Sequence, residues 1–330
     1  MKKMINDPAN VPAETIQGFV QTFPERYVQV KGVKGVRVKN VKDKVALVIG
    51  GGSGHEPMYG MFVGENLADA SANGNIFASP DPNTIMQTVL EVERRKGVLF
   101  VYGNYSGDNL NFDMASELLE DMGISCRTVR VWDDVASASR ERITDRRGIA
   151  GAVMVIKVAG AAAGAGLDLD ETCRVAQKAR DNTFSIGAAL SGGTIPGERK
   201  PAFSLPDNEI EFGMGVHGEP GIRRMEMKTA DEIVDILLEK LLEESGIQKG
   251  EEVCTLINGL GSTTLAELYI LNRRLIQRLS EKEIIVHHMD VNSYITCQEM
   301  AGASISLMRM DEELKKYYDA PCYSPYYFKK

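Results

Sequence analysis

Apolar and polar residues form alternating blocks along the chain, and these blocks predict strands and helices in turn. Short apolar runs such as KVALVIG, GVLFVYG and EVCTLING are typical of buried strands, whereas the segments between them have the apolar spacing of amphipathic helices. Because strands that alternate with helices usually form sheets covered by helices, the pattern predicts an α/β fold. We expect two α/β domains with mostly parallel or mixed sheets.

The clearest helix is predicted for residues 230–245. Thr229 and Glu232 have the spacing of a capping box at its start, and Gly246 follows its apolar stripe as a helix terminator. A second helix is expected from about Thr263, after the strand EVCTLING.

A linker between the two domains is predicted for residues 191–209. This stretch, SGGTIPGERKPAFSLPDNE, is rich in glycine, proline and polar residues, which is typical of a connection rather than a strand or helix. It predicts an N-terminal domain of residues 1–190 and a C-terminal domain of residues 191–330. An alternative for the C-terminal tail is that it packs on the N-terminal domain.

Composition excludes several classes of protein. The net charge of −8 argues against a general nucleic-acid or membrane-surface binder, and no apolar run reaches the length of a membrane span. The first residues, MKKMINDPAN, lack the apolar core of a signal peptide. The scattered cysteines contain no CxxC pair, which favours a reducing cytoplasm over a disulfide scaffold or a cysteine zinc site. These cysteines are Cys126, Cys173, Cys254, Cys297 and Cys322.

The first stretch with chemical potential is VIGGGSGHEP, which begins at Val48. Glycines after a strand let a ligand approach the backbone, and exposed N–H groups suit an oxygen-rich ligand. The stretch has no lysine of a GxxxxGK[ST] loop, so a nucleotide triphosphate site is not indicated. His55 instead stands where a side chain can meet a small ligand. The alternative is a tight turn with a surface histidine.

The second stretch, YGNYSGDNLNF, places Asp108 just beyond a predicted strand. The carboxyl ends of parallel strands are where α/β proteins bind ligands, and a carboxylate there can accept a proton from a substrate hydroxyl. The alternative is an N-cap aspartate of the following helix.

The third stretch, EFGMGVHGEPG, contains His217 among four glycines. Its HGEP resembles the HEP of the first stretch, so two of the four histidines lie in glycine-rich loops before Glu and Pro. This repetition favours a functional site. No HxxH or HxH spacing supports a metal, and adjacent His287 and His288 lie in a predicted strand, where they face opposite sides.

The fourth stretch, INGLGSTTLAELY, has a glycine-rich loop before a helix capped by Ser262 or Thr263. Such a turn is a potential anion site, although an ordinary capped turn explains it equally well.

Together these stretches resemble the substrate-binding subunit of dihydroxyacetone kinases, DhaK. The matching motifs occur in the family's order over nearly the whole chain: MINDP, GGGSGHEPM, NYSGDNLNF, SIGAAL, FGMGVHGEPG and APCYSP. The resemblance implies a two-domain α/β fold and a homodimer.

The resemblance also implies roles for individual residues. The glycine loop is expected to cradle a triose, and His217 to hold the substrate ketone as a covalent hemiaminal. His55 is expected to assist by hydrogen bonding and acid–base chemistry, and Asp108 to act as base on the hydroxyl that is phosphorylated. The residues that it assigns to substrate binding are Gly52, Ser53, Gly54, His55, Gly103 and Asp108.

One position departs from the family pattern. Members of the family often have lysine where this chain has Gly103. The change removes a hydrogen-bond donor and is expected to leave space, so a four-carbon ketose such as erythrulose is an alternative substrate. The family also contains a non-catalytic, ketose-binding transcriptional co-activator that keeps both histidines, so a regulatory role is a second alternative.

The phosphoryl donor is expected on a partner. The resemblance implies a separate, helical, DhaL-like subunit that carries the nucleotide and magnesium. That subunit is recharged by a phosphotransferase-system protein or exchanges its nucleotide for ATP. We therefore expect no cofactor and no metal in this chain, and neither nucleic acid nor membrane among its partners.

Overall fold

The computed structural model describes residues 2–219 and 221–330, and it contains fourteen strands and eight α-helices in this part of the chain. The strands are β1 (Tyr27–Gln29), β2 (Gly35–Val38), β3 (Ala46–Ser53), β4 (Ala70–Ile76), β5 (Val98–Gly103), β6 (Cys126–Val131), β7 (Thr183–Ser191), β8 (Glu209–Phe212), β9 (Arg223–Glu226), β10 (Glu252–Gly259), β11 (Ile285–Asn292), β12 (Ala301–Met310), β13 (Cys322–Tyr323) and β14 (Phe328–Lys329). The helices are α1 (Val11–Thr22), α2 (Pro82–Leu90), α3 (Ser106–Asp121), α4 (Ala152–Gly164), α5 (Leu169–Asp181), α6 (Ala230–Ser245), α7 (Leu265–Glu281) and α8 (Glu312–Tyr318).

The first six-stranded sheet has the order β1-β2-β4-β3-β5-β6. Strands β4, β3, β5 and β6 are mutually parallel, and β1 and β2 add an antiparallel edge. Strands β3 and β5 are buried along their whole length, which explains why they read as continuous apolar or glycine runs rather than as an alternating pattern. This sheet confirms the predicted α/β fold.

The second six-stranded sheet has the order β11-β10-β12-β7-β8-β9. Only β10 and β11 pair in parallel, and every other pair is antiparallel. The second sheet is therefore mixed and mostly antiparallel, because the long strand β12 lies between β10 and β7 and runs against both. Apolar periodicity predicts a buried strand but carries no information about its direction.

The chain forms two compact units, each with its own sheet. The His55 unit consists of Lys2–Val131, Met154–Ala179 and Leu314–Lys330, and the His217 unit consists of Trp132–Val153 and Arg180–Glu313. These units differ from the predicted division at residue 190. The reason is that β7, which precedes the predicted linker, pairs with β8 and β12 of the second sheet, while the C-terminal tail belongs with the N-terminal residues.

Helix α6 matches the prediction from the sequence at both ends. Thr229 and Glu232 cap each other reciprocally, and Gly246 adopts the left-handed conformation at φ 65°. Its apolar face packs into the core of the His217 unit with Val253 and Ile257 of β10. In the part of the chain that the structure describes, no helix is both long and apolar enough to span a bilayer.

A fully buried lysine connects the middle and the end of the His55 unit. The Lys157 side chain, on α4, donates from Nζ to the carbonyl oxygen of Tyr317 at 2.8 Å. Burial lowers the pKa of Lys157 to about 8, because the ammonium loses its hydration inside the protein. The same burial makes the stability of the fold depend on pH.

We expect the free energy of unfolding to rise from pH 8 to pH 10.5 relative to the variant Lys157→Met. In this interval the unfolded chain still holds a proton on Lys157, whereas the folded chain releases it above about pH 8. The full gain is about 3 kcal/mol by linkage. Denaturant unfolding of both proteins at several pH values measures it, and parallel pH curves for the two would contradict it.

Candidate functional site

The carboxyl ends of β3 and β5 bring together the first two predicted motifs. The two strands are parallel neighbours, paired from Ala46 with Val98 to Ile49 with Val101. His55 follows β3 and Asp108 follows β5, so both emerge at the same edge of the first sheet, where α/β proteins bind ligands.

The three consecutive glycines are themselves part of β3, and their open faces meet protein atoms. A Cβ atom on Gly51 would lie 2.3 Å from the ring of Tyr59, and one on Gly52 would lie 2.8 Å from the backbone nitrogen of Ala78. These glycines therefore let the chain pack against itself. The turn follows at Gly54, whose φ of 98° suits glycine.

His55 is a buried residue, only 2% exposed. Its ring lies between aromatic neighbours, with centroids 5.1 Å from that of Phe77 and 6.5 Å from that of Tyr59. The prediction of a surface histidine on a tight turn is therefore wrong. Ser53, beside it, donates its hydroxyl to the carbonyl oxygen of Gly74 at 2.9 Å.

The first turn of α3 contains Asp108. Tyr105 is the N-cap residue, and the helix begins at Ser106, so Asp108 is the third helical residue and not the cap. It is 9% exposed, and its carboxylate lies in the first turn of the helix, near the positive end of the helix dipole. A carboxylate at this position is suited to accept a proton from a ligand.

Gly103, the departure from the family pattern, is the last residue of β5. A Cβ atom here would lie 3.3 Å from the ring of Tyr105 and 3.4 Å from the hydroxyl of Tyr59. Space next to Gly103 is thus bordered by two tyrosines, one of which also flanks His55.

His217 lies in the loop between β8 and β9, in the His217 unit, and a carboxylate holds it there. Glu219 contacts His217 twice: Oε1 lies 3.0 Å from Nδ1, and Oε2 accepts the backbone N–H at 3.0 Å. Burial raises the pKa of Glu219, but the hydrogen bonds and charge of His217 outweigh this effect and lower it to about 2. Pro220 of the predicted motif lies outside the described residues.

The charge state of Glu219 decides the tautomer of His217. An ionised carboxylate can only accept a hydrogen bond, so Nδ1 carries the proton. The lone pair of the neutral imidazole then belongs to Nε2. Nε2 is thereby the nucleophilic nitrogen of the ring.

A largely buried ion pair, Arg147 with Asp134, lies next to the Glu219 carboxylate. Arg147 lies 3.9 Å from Glu219 through Nη1, donates to Asp134 from Nε at 2.9 Å, and donates to the Gly213 carbonyl oxygen at 2.9 Å. Burial raises the pKa of Asp134, and the guanidinium of Arg147 acts against that rise.

Gly215 makes this arrangement possible. A Cβ atom at that position would lie 2.1 Å from Oε2 of Glu219 and 2.6 Å from Nη1 of Arg147. Any side chain there would displace the groups that hold His217.

The sequence motifs pointed to the histidines but not to their supports. Glu219 follows His217 in the HGEP motif, and the repetition of Glu after both loop histidines could have indicated its role. Arg147 and Asp134 are distant in sequence, and nothing in their local pattern indicates the contact.

The fourth predicted stretch is not an anion site. Thr264, rather than Ser262 or Thr263, caps α7, and Glu267 accepts hydrogen bonds from the backbone and hydroxyl of Thr264. A carboxylate of the protein already occupies the helix N-terminus. Within residues 2–219 and 221–330, no group of three or more His, Cys, Asp or Glu side chains could hold a metal ion.

Comparisons with known proteins agree with these motifs. A model of the Dak1 domain matches residues 17–326. The dihydroxyacetone-binding subunit DhaK of the PTS-dependent dihydroxyacetone kinase 2 from Listeria innocua is 43% identical over 330 residues, covering 99% of both chains. The L-erythrulose kinase of Pectobacterium atrosepticum is 39% identical over 98% of this chain, which spans 56% of that relative.

A solved structure extends the comparison to three dimensions. The dihydroxyacetone kinase operon co-activator Dha-DhaQ superposes with a TM-score of 0.91 at 28% identity, over 97% of this chain and 99% of that one. The relatives thus include phosphotransferases with an alcohol acceptor and a co-activator. The chain belongs to the Dak1 family, among the relatives of DhaK dihydroxyacetone-binding subunits, as its motifs predict.

Proposed function

We propose that this chain is the substrate-binding subunit of a dihydroxyacetone kinase. It captures dihydroxyacetone, or a similar short ketose, as a covalent hemiaminal on His217 and presents a hydroxyl for phosphorylation. The observation that carries the proposal is the contact of Glu219 with Nδ1 of His217, since it leaves Nε2 as the nucleophile.

The capture step balances without a co-reactant. The lone pair of Nε2 forms a bond to the carbonyl carbon, and the π electrons of the C=O bond move onto oxygen. The ring becomes positive, which the ionised Glu219 stabilises. The ring then releases its Nδ1 proton, and the alkoxide takes up one proton from water or from a His55 ring that solvent reprotonates, so charge and protons balance. A ketone has no leaving group, so addition stops at a reversible tetrahedral adduct that orients the terminal hydroxyl.

His55 and Asp108 supply the remaining chemistry in this proposal. His55 provides a hydrogen bond or a proton to the developing alkoxide, which lowers the barrier to addition. Asp108 accepts the proton of the terminal hydroxyl as that oxygen attacks phosphorus. Gly52, Ser53, Gly54 and Gly103 are the further residues that the resemblance assigns to substrate binding.

The phosphoryl donor is placed on a separate, DhaL-like subunit that carries the nucleotide and magnesium. Support comes from the names of relatives matched nearly end to end, which describe a dihydroxyacetone-binding subunit of a PTS-dependent or PEP-dependent kinase. We propose recharging by a phosphotransferase-system protein for the same reason, and a homodimer in the cytoplasm from the resemblance.

Dihydroxyacetone labelled with ¹³C at the carbonyl is expected to show the adduct directly. On mixing with the protein, its carbonyl resonance should move into the region of tetrahedral carbons, and His217→Ala should abolish the shift. A bound ketose whose carbonyl resonance stays in the ketone region would contradict covalent capture, because binding without addition leaves that carbon trigonal.

An erythrulose-type kinase subunit is the second candidate, favoured by Gly103. Erythrulose has one carbon more than dihydroxyacetone, and Gly103 lacks the lysine side chain that family members often have at this position. Erythrulose kinases are 38–39% identical to this chain. Phosphorylation of a ketose panel in the presence of the donor subunit decides between the two. A protein that forms the adduct but transfers phosphate to no ketose is instead a ketose sensor.

A further inference from the structure

Helix α3 has a second apolar face that is exposed in the chain. Phe112, Ala115 and Leu119 are buried in the core of the His55 unit. Four other apolar side chains, three in α3 and one at its C-cap, repeat at every fourth residue on a different face. They are Leu110, Met114, Leu118 and Met122, which are 63%, 47%, 42% and 55% exposed.

This α3 stripe is a continuous surface rather than a set of scattered residues. Residues four positions apart lie above one another on a helix, so the four side chains cover about three turns. A helix that is apolar on two faces is typical of one that packs on both. One face of α3 packs on the core of the His55 unit, and the α3 stripe is suited to pack against a partner protein.

The charge of the helix restricts the kind of partner. Helix α3 contains five acidic residues and no basic one, and Asp113 forms an ion pair with Arg130. Glu117 and Asp121 adjoin the α3 stripe in the sequence. The complementary surface is an apolar patch bordered by lysine or arginine side chains.

The position of the stripe restricts the partner further. It begins two residues after Asp108, on the helix whose first turn contains that carboxylate. A donor phosphate must come within about 3–3.5 Å of the hydroxyl that Asp108 activates. The protein that delivers it therefore has to approach the N-terminal end of α3.

We propose that the α3 stripe is the docking surface for the nucleotide-carrying subunit, through an apolar patch with a basic rim. This inference rests on the proposed function, because only a kinase subunit needs a donor beside Asp108. Docking along α3 places the donor at the first turn of the helix while leaving His217 to hold the ketose.

The test uses the full chain and the nucleotide-carrying subunit that restores ketose phosphorylation with it. The double variant Met114→Gln/Leu118→Gln is expected to raise the dissociation constant of that subunit at least tenfold, measured by calorimetry. The KM for the donor subunit should rise in parallel, with kcat at saturating donor close to that of the wild type. Glutamine keeps the helix propensity of α3, so the fold is retained.

Met227→Gln is the matched control, because Met227 is also 47% exposed but lies in the His217 unit. It should change the dissociation constant less than twofold. Formation of the ketose adduct should be unchanged in both variants, which separates docking from capture.

Three outcomes would overturn the inference. One is unchanged donor binding by the double variant, although the wild type transfers phosphate. Another is a double variant that changes its oligomeric state but still binds the donor subunit. That result would show that a second copy of the chain covers the stripe. The third is a wild-type chain that captures ketose and binds no donor subunit, which overturns the kinase function as well.

Discussion

Replacing Asp108 by asparagine is expected to lower phosphoryl transfer by about 10²–10⁴-fold while leaving ketose capture nearly intact. The two steps use different groups: addition needs the imidazole of His217, whereas transfer needs a hydroxyl that loses its proton. Asparagine has the shape of aspartate and still accepts a hydrogen bond, but it cannot take up that proton. Turnover with the donor subunit and the ¹³C signal of the adduct measure the two steps separately.

His217→Ala is the opposite control, because it should remove capture first and turnover as a consequence. Near-normal turnover by Asp108→Asn would show that Asp108 only positions the substrate or the start of α3. Loss of both capture and turnover would show that the carboxylate is required to build the site.

The second large effect is expected for Glu219→Gln. A glutamine amide can donate to Nδ1 and thereby favour the tautomer with the proton on Nε2, which has no lone pair for the carbonyl. A wrong tautomer of an otherwise intact site costs on the order of 10⁴-fold in a serine protease. We expect capture to weaken roughly 10²-fold or more, measured by the fraction of labelled ketose in the adduct.

Glu211→Gln separates this role from loop stability. Glu211 holds the same loop through the backbone N–H of Gly221 at 2.7 Å and through Arg224, without either contact involving His217. If Glu211→Gln and Glu219→Gln weaken capture equally, Glu219 acts only by ordering the loop. A nitrogen-detected spectrum of the His217 ring reports the tautomer independently.

Local sequence signals predicted those parts of the fold that depend on neighbouring residues. The capping box and the left-handed glycine of α6 require only short spacings, so their prediction was accurate. Strand direction in the second sheet and the composition of the two units depend on pairings far apart in the sequence, such as β7 with β12. No local pattern encodes these pairings.

The candidate site likewise combines features that local sequence predicts with contacts that it does not. The position of Asp108 beyond a buried strand was predictable from the apolar run before it, whereas the pairing of β3 with β5, which puts His55 at the same sheet edge, was not. The contact of Arg147 with Glu219 joins residues 72 positions apart and therefore could not be predicted. The close packing of Gly51 and Gly52 against Tyr59 and Ala78 was not predictable either, because glycine suits both a ligand loop and close packing.

The His55 unit is assembled from three separate stretches of the chain, the last of which begins at Leu314. During synthesis on a ribosome, α4 and Lys157 emerge long before the Tyr317 carbonyl that accepts from Lys157. The His217 unit has all of its described residues by Glu313 and can fold while residues 314–330 are still inside the exit tunnel. The His55 unit, whose first residues are translated first, is thus completed after the His217 unit. Until then its hydrophobic surface stays exposed in the nascent chain, where chaperones can protect it.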